Sequence, residues 1–334
     1  MKIHLKLIAG IAALGSVATV STVSAQQAFT KPVGYRTETI TAGVFNLISS
    51  ELGNAVAAAG ELTAVAGAKA TDDNADFTTS LPTDAGQTYV MQITGGNQAG
   101  LVSEVASVDD ANNVTAADDL GAAGVAAGAT YEIRRAKTLS DLFGAANEAG
   151  LTSGAEGTAD IIWLPDGAGG FVRYYYSQSF LGAGWRAVGD AVTDQKNVPI
   201  VYTDAFFIQS RAAANKDIVL VGHVPTAPAT VPLLKGFNFS SRIVPVGQTL
   251  ATAALEGQVL GGAEGTADII WVADGQGGYA RYYFSESFLG NGWRAVGDAV
   301  TDQKDKALSS GIIIQRRGDP KNVTIGVPAF YADL

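Results

Sequence analysis

One stretch of this chain occurs twice, and that constrains its fold more than any other feature. Residues 155–196 read AEGTADIIWLPDGAGGFVRYYYSQSFLGAGWRAVGDAVTDQK, and residues 263–304 read AEGTADIIWVADGQGGYARYYFSESFLGNGWRAVGDAVTDQK. The two agree at 34 of 42 positions without a gap, 108 residues apart. The chain after each copy has diverged much further. Packing, a ligand or sequence exchange therefore holds these segments alike. A repeat specifies architecture and by itself specifies no chemistry.

Within each copy the pattern is that of a β-hairpin. The apolar run Asp160–Leu164, or Asp268–Val272, is continuous, as in a strand covered on both faces. A Gly-rich turn follows, Asp166–Gly170 or Asp274–Gly278, where glycine supplies positive φ. The return strand is Phe171–Ser177 or Tyr279–Ser285. Its alternation sets Tyr174 and Tyr176 on one face and Phe171, Arg173 and Tyr175 on the other. Elsewhere, short apolar runs are separated by Gly, Asp and Asn, and 3.6-residue periodicity is scarce. The expected fold is all-β, a sandwich or small barrel with an internally duplicated hairpin unit in the C-terminal half.

The expected division is an N-terminal β domain over 26–137 and a duplicated domain over 138–334, with repeats at about 138–235 and 236–334. Strands are expected at Tyr35–Ile40, Glu61–Val65, Thr88–Ile93, Leu101–Val108 and Thr130–Arg134, joined by long polar or Ala/Gly-rich loops. Thr138 or Ser140 caps a short helix ending near Gly144 or Gly150. Further strands are expected at Ile200–Tyr202, Ala205–Gln209 and Ile218–Val221, loosely matched by Gly311–Gln315 and Val323–Val327. PTAPATVP, residues 225–232, reads as an extended linker. A fainter echo, FNLISS at 45–50 against FNFSSR at 237–242, places a strand ahead of each unit.

Residues 1–25 read as a secretory signal: Lys2 and Lys6, an apolar stretch over Leu7–Val20, then Val23-Ser24-Ala25 before a mature start at Gln26. The apolar run is too short to span a bilayer. The expected location is periplasmic, cell-surface or extracellular. Without Lys2 and Lys6, 20 basic residues face 32 acidic ones. That balance argues against nucleic acid, whose phosphates demand basic patches. Cysteine is absent, so disulfides and thiolate chemistry are excluded. His223 is the one imidazole outside the signal and sits by an apolar strand, where a structural role is expected. No G-x-S-x-G elbow supports a catalytic serine.

The strand PVGYRTETI, the junction TYEIRRAKTLSDLFG and the hairpin leading to GWRAVG resemble an uncharacterised family of secreted bacterial proteins of verrucomicrobial genomes. A later strand ending in Gln-Arg or Gln-Ser-Arg belongs to the same pattern. The resemblance implies secretion and a β-rich fold, and transfers no catalytic residue.

The strongest candidate site is the segment holding Trp185, Arg186 and Asp190, with its twin Trp293, Arg294 and Asp298, extended by Tyr174 and Tyr282. An indole offers an apolar platform to a sugar ring, and Arg and Asp bond hydroxyls. The competing reading has Trp fill the core at a strand corner that Arg and Asp fix. Tyr176 becomes Phe284 and Gln178 becomes Glu286, which favours packing. Glu156, Asp160, Glu264 and Asp268 are the carboxylates a glycoside hydrolase would use. Asp72, Asn74 and Asp76 alternate like an oxygen-rich calcium loop, though Phe77 stands where an EF-hand has Gly. Calcium is the one cofactor the sequence leaves open.

The expected function is that of an exported, non-enzymatic structural or interaction protein of the cell envelope or extracellular space. A carbohydrate-binding module using Trp185 and Trp293 is the alternative, and a glycoside hydrolase comes third. Expected partners are an envelope protein, a polysaccharide or further copies of the chain, with no nucleic acid and no membrane span.

Overall fold

A computed structural model describes residues 32–334 except 84, 85, 181, 288 and 289. The proposed signal segment and cleavage site lie outside the described residues. In chain order the first elements are β1 (Val33–Ile40), β2 (Phe45–Ser49), β3 (Val56–Glu61), β4 (Ala64–Ala66), β5 (Lys69–Thr71) and α1 (Phe77–Ser80). Next come β6 (Tyr89–Ile93), β7 (Val102–Val108), β8 (Asn113–Ala116), β9 (Thr130–Arg135), β10 (Lys137–Thr138) and α2 (Leu139–Phe143). The first copy supplies β11 (Ile161–Pro165), β12 (Phe171–Ser179) and β13 (Gly182–Ala187), followed by β14 (Pro199–Ile200), β15 (Ala205–Gln209) and β16 (Lys216–His223). The rest is β17 (Ala229–Leu233), β18 (Gly236–Ser241), β19 (Ile269–Ala273), β20 (Tyr279–Ser285), β21 (Gly292–Ala295), β22 (Gly311–Arg316) and β23 (Lys321–Ile325). The fold is all-β, and its paired strands run antiparallel.

Two five-stranded sheets have the same layout. One runs β13-β12-β11-β15-β2 and the other β21-β20-β19-β22-β18. Their registers correspond: Ile162 faces Tyr174 as Ile270 faces Tyr282, and Tyr176 faces Trp185 as Phe284 faces Trp293. Asn46 on β2 and Asn238 on β18 even make matching bonds. Each side-chain amide folds back on the loop before its own strand and reaches the neighbouring strand, at Ile208 O and Ile314 O respectively. The strand inferred ahead of each hairpin is therefore the outer strand of each sheet. The ribbons β1-β16 and β17-β23 flank the two sheets in turn.

The third sheet, seven-stranded in the order β3-β9-β6-β7-β8-β5-β4, is formed by chain lying between β2 and β11. β1 and β2 lie outside it and pair with β16 and β15, so this sheet starts at Val56 rather than at residue 26. The strand expected over Glu61–Val65 is broken at Leu62 and Thr63, whose N–H groups turn to Ala129 O and Thr71 O. The supposed connectors contain β5, α1 and β8. The second half of the PTAPATVP segment is β17, with Pro232 opposite Asn322. The helix at the junction is α2: Thr138 and Asp141 form a capping box, and Gly144 at φ 87° ends it.

Each sheet has its own core. Ile162, Tyr174, Trp185, Phe206 and Phe143 lead the first, and Ile270, Tyr282, Trp293, Ile312 and Ile314 the second. Phe77, Met91, Tyr131 and Ile133 lead that of the seven-stranded sheet. Where the two five-stranded sheets meet, Leu47, Ala205 and Ile313 are buried and Phe239 packs on Phe171 and Phe207, with ring centroids 5.0 and 5.4 Å apart. A buried Glu51 carboxylate pairs there with Arg36 at 2.9 Å and Arg242 at 3.1 Å. Burial pushes the Glu51 carboxyl up, and both guanidiniums oppose that shift.

Candidate functional site

The structure brings the residues of the duplicated segment together, as a corner. Trp185 and Trp293 are each 1 % exposed. Trp185 packs against Phe143 and Tyr176 at 5.8 and 5.3 Å and donates Nε1–H to Gly144 O at 2.9 Å. Trp293 packs on Phe284 at 5.5 Å and donates to Glu256 Oε1 at 2.7 Å. Tyr174 and Tyr282 belong to the same two cores. Indoles enclosed this way present no face to a sugar ring, which removes the platform expected at Trp185 and Trp293. The reason is local: the return strand carries three aromatics in a row, and the indole closes over its inward face.

Arg186 and Arg294 are spent on the following loop. Their Nε atoms donate to Ala191 O and Ala299 O at 3.1 and 3.2 Å, and their NH1 groups to the carbonyls of Trp185 and Trp293, both at 3.0 Å. Asp194 and Asp302 stand 3.8 and 3.6 Å from those guanidiniums. Asp190 accepts from the N–H groups of Val192 and Thr193, and Asp298 from those of Val300 and Thr301. Bonds from Thr193 and Thr301 hold both carboxyls below the ordinary range.

The glycosidase candidates are likewise engaged. Asp160 accepts from Thr152 N and Arg211 N, and Asp268 from Leu260 N, Arg317 N and Arg316 NH1. Glu156 and Glu264 accept from Gly189 N and Gly297 N, fastening one loop to another. Asp72 accepts from Asn74 N and from the Tyr131 hydroxyl at 2.8 Å, while Asp76 caps α1 through Thr79 N. The bonds from Thr78 and Thr79 lower the Asp76 carboxyl. Among the described residues no group of three or more His, Asp or Glu side chains is placed to hold a metal. Asp72, Asn74 and Asp76 thus act as turn and cap residues of one loop.

Chemistry-bearing side chains converge in recesses the sequence did not single out. A cavity of about 250 Å³ opens between the seven-stranded sheet and the linker joining the copies, lined by Gln92, Glu132, Arg134, Tyr202, His223 and residues 224–227. Strand alternation builds its floor: Tyr131 and Ile133 of β9 enter the core, which turns Glu132 and Arg134 to the opposite face. Their side chains pair at 2.5 Å. Burial lowers the Arg134 guanidinium and raises the Tyr202 phenol. The alternation in TYEIRR carried that signal, but nothing in the sequence placed Tyr202 and His223 opposite it.

A second recess, about 300 Å³, is lined by Glu104, Asp166 and Asp204. Crowding by protein raises Asp204 to about 6, with a further push from Glu104, even though the recess admits solvent to it. Glu104 is raised too, by burial and then by Asp118. Between β1, β2 and the 275–278 turn lies a cleft of about 430 Å³. Among the described residues no helix is long and apolar enough to cross a membrane. Comparison with protein-family models, with curated proteins and with solved structures returns no match.

Proposed function

We propose that this chain is an exported, non-enzymatic interaction protein of the cell envelope or extracellular space, and that its two copies present the same loop for association with further copies of itself. The observation that carries this is a pair of exposed valines: Val192 is 73 % exposed and Val300 76 %. They sit in segments 184–196 and 292–304, identical at all 13 positions, and Ala191–Asp194 is exposed throughout. Core packing does not require identity at exposed positions. By contrast, the exposed hairpin residues Ala168 and Val172 have drifted to Gln276 and Ala280. Two equal contact points on one compact unit favour multivalent assembly. The alternative of sugar binding at Trp185 and Trp293 is weakened by the burial of both rings.

Sedimentation velocity across the micromolar range tests the proposal. The expected result is concentration-dependent, defined association that falls in the variant Val192→Asp/Val300→Asp while its melting temperature stays at the parent value. A parent that is monomeric throughout, or a double variant that associates equally well, rejects the reading.

A further inference from the structure

We infer that the cavity between the seven-stranded sheet and the inter-copy linker is a binding site for a small organic carboxylate. This stands apart from self-association, because the loops at Val192 and Val300 do not line the cavity.

The argument begins with Tyr202. Its hydroxyl is buried and has no hydrogen-bond partner among the described residues. A buried hydroxyl in that condition is a standing cost to the fold, which a ligand acceptor would relieve. Arg134 lines the same cavity as Tyr202. Arg134 is itself stripped of much of its water, and its bond to Glu132 passes through NH2. A phenolic O–H and a desolvated guanidinium in the lining of one cavity are donors suited to a carboxylate.

Charge and size then narrow the class. Glu132 offsets Arg134, which argues against a phosphate dianion or polyanion and leaves a carboxylate to be held by hydrogen bonds from Tyr202 and Arg134. A volume of about 250 Å³ limits the ligand to a small molecule. The wall formed by Val224, Pro225 and Ala227 is apolar and faces the carbon skeleton. That wall is held in place: Gln92 Nε2 donates to Pro228 O at 3.0 Å, and Thr230 N to Gly100 O at 2.7 Å. A pre-formed wall spares the ligand the entropy of ordering a loop. Because the floor belongs to the sheet inserted between β2 and β11, the site is not repeated with the two hairpin units among the described residues.

Isothermal titration calorimetry of the exported chain tests this with benzoate and D-glucuronate as probes, and benzamide and D-glucose as their uncharged counterparts. At least one carboxylate is expected to bind saturably in the millimolar range or tighter, with its uncharged counterpart about tenfold weaker or more. Tyr202→Phe removes only the unpartnered oxygen. It is expected to melt no lower than the parent without ligand, yet to bind the carboxylate about tenfold more weakly. Ala227→Trp, which fills the cavity from the linker side, is expected to abolish binding. The inference is overturned if neither carboxylate gives saturable heat, if the uncharged probes bind equally, or if folded Ala227→Trp binds like the parent.

Discussion

The indole of Trp293 donates to the carboxylate of Glu256 at 2.7 Å, whereas its twin Trp185 donates to a backbone carbonyl, that of Gly144. The same buried ring is thus satisfied by two unrelated acceptors. The ring is the common requirement and the acceptor is supplied locally. Replacing either tryptophan by alanine is expected to cost about 3–5 kcal/mol in denaturant unfolding, as for other large core aromatics. Glu256→Gln keeps an acceptor and is expected to cost under about 1 kcal/mol, while Glu256→Leu leaves the indole N–H bare and costs about 1–3 kcal/mol.

Asp160 and Asp268 occupy matching positions with unequal partners. Both accept two backbone N–H bonds, but Asp268 also receives Arg316 NH1 at 2.5 Å where the first copy has Ser210. Removing one partner of a buried pair leaves the other charge uncompensated. Asp268→Asn is therefore expected to destabilise more than Asp160→Asn, by about 1–3 kcal/mol at neutral pH. Equal losses in parallel urea titrations would refute that difference.

The carboxyl of Asp204 titrates near pH 6 in the fold, well above its ordinary value. The folded state then holds a proton that the unfolded chain has already lost, so this group's contribution falls as pH rises from about 4 to about 6 and is flat above. Asp204→Asn is expected to melt above the parent at about pH 8, with the gap closing by about pH 4. A gap that is constant or reversed with pH counts against the assignment.

Calcium is expected to leave the melting temperature unchanged, as is EDTA, because the Asp72 carboxylate is committed to Asn74 N and the Tyr131 hydroxyl. Asp76→Ala removes the cap of α1 and is expected to lower the melting temperature slightly. A calcium-dependent rise in thermal scans, lost in Asp76→Ala, would restore the metal reading.

The all-β class was legible because strands such as Tyr89–Ile93 and Ile161–Pro165 are dense in β-branched and aromatic residues. A helix cap at Thr138 or Ser140 was legible for a different reason, since its signal is local; the structure selects Thr138. Val56–Glu61 carries little strand signal: VAAAGE is half alanine, and its pairing with β9 is made across about 70 residues of chain. β8 is hidden for a different reason, since its four residues NVTA sit among Asp and Asn, which are depleted in strands. At the candidate corner, the residues that gather were foreseen but their burial was not decided, because a Trp-Arg pair reads alike on a surface or under it. Tyr202 joins Arg134 only through the tertiary fold, and no local pattern announces that meeting.

The separation of β2 from its partner β15 bears on how the protein assembles in time. Between Ser49 and Ala205 lie 155 residues, whereas 69 lie between Ser241 and Gly311, where β18 meets β22. Joining the ends of the longer segment costs about one doubling more of loop-closure entropy, on the order of 0.6 kcal/mol. The outer strand of the second sheet therefore nucleates from nearby chain, while that of the first waits for a distant partner. Pulse-labelled hydrogen exchange is expected to protect the amides of Ile312–Ile314 before those of Phe206–Ile208. Two nearly identical sequences in one molecule would then fold at different rates, with the later one condensing on a neighbour already formed.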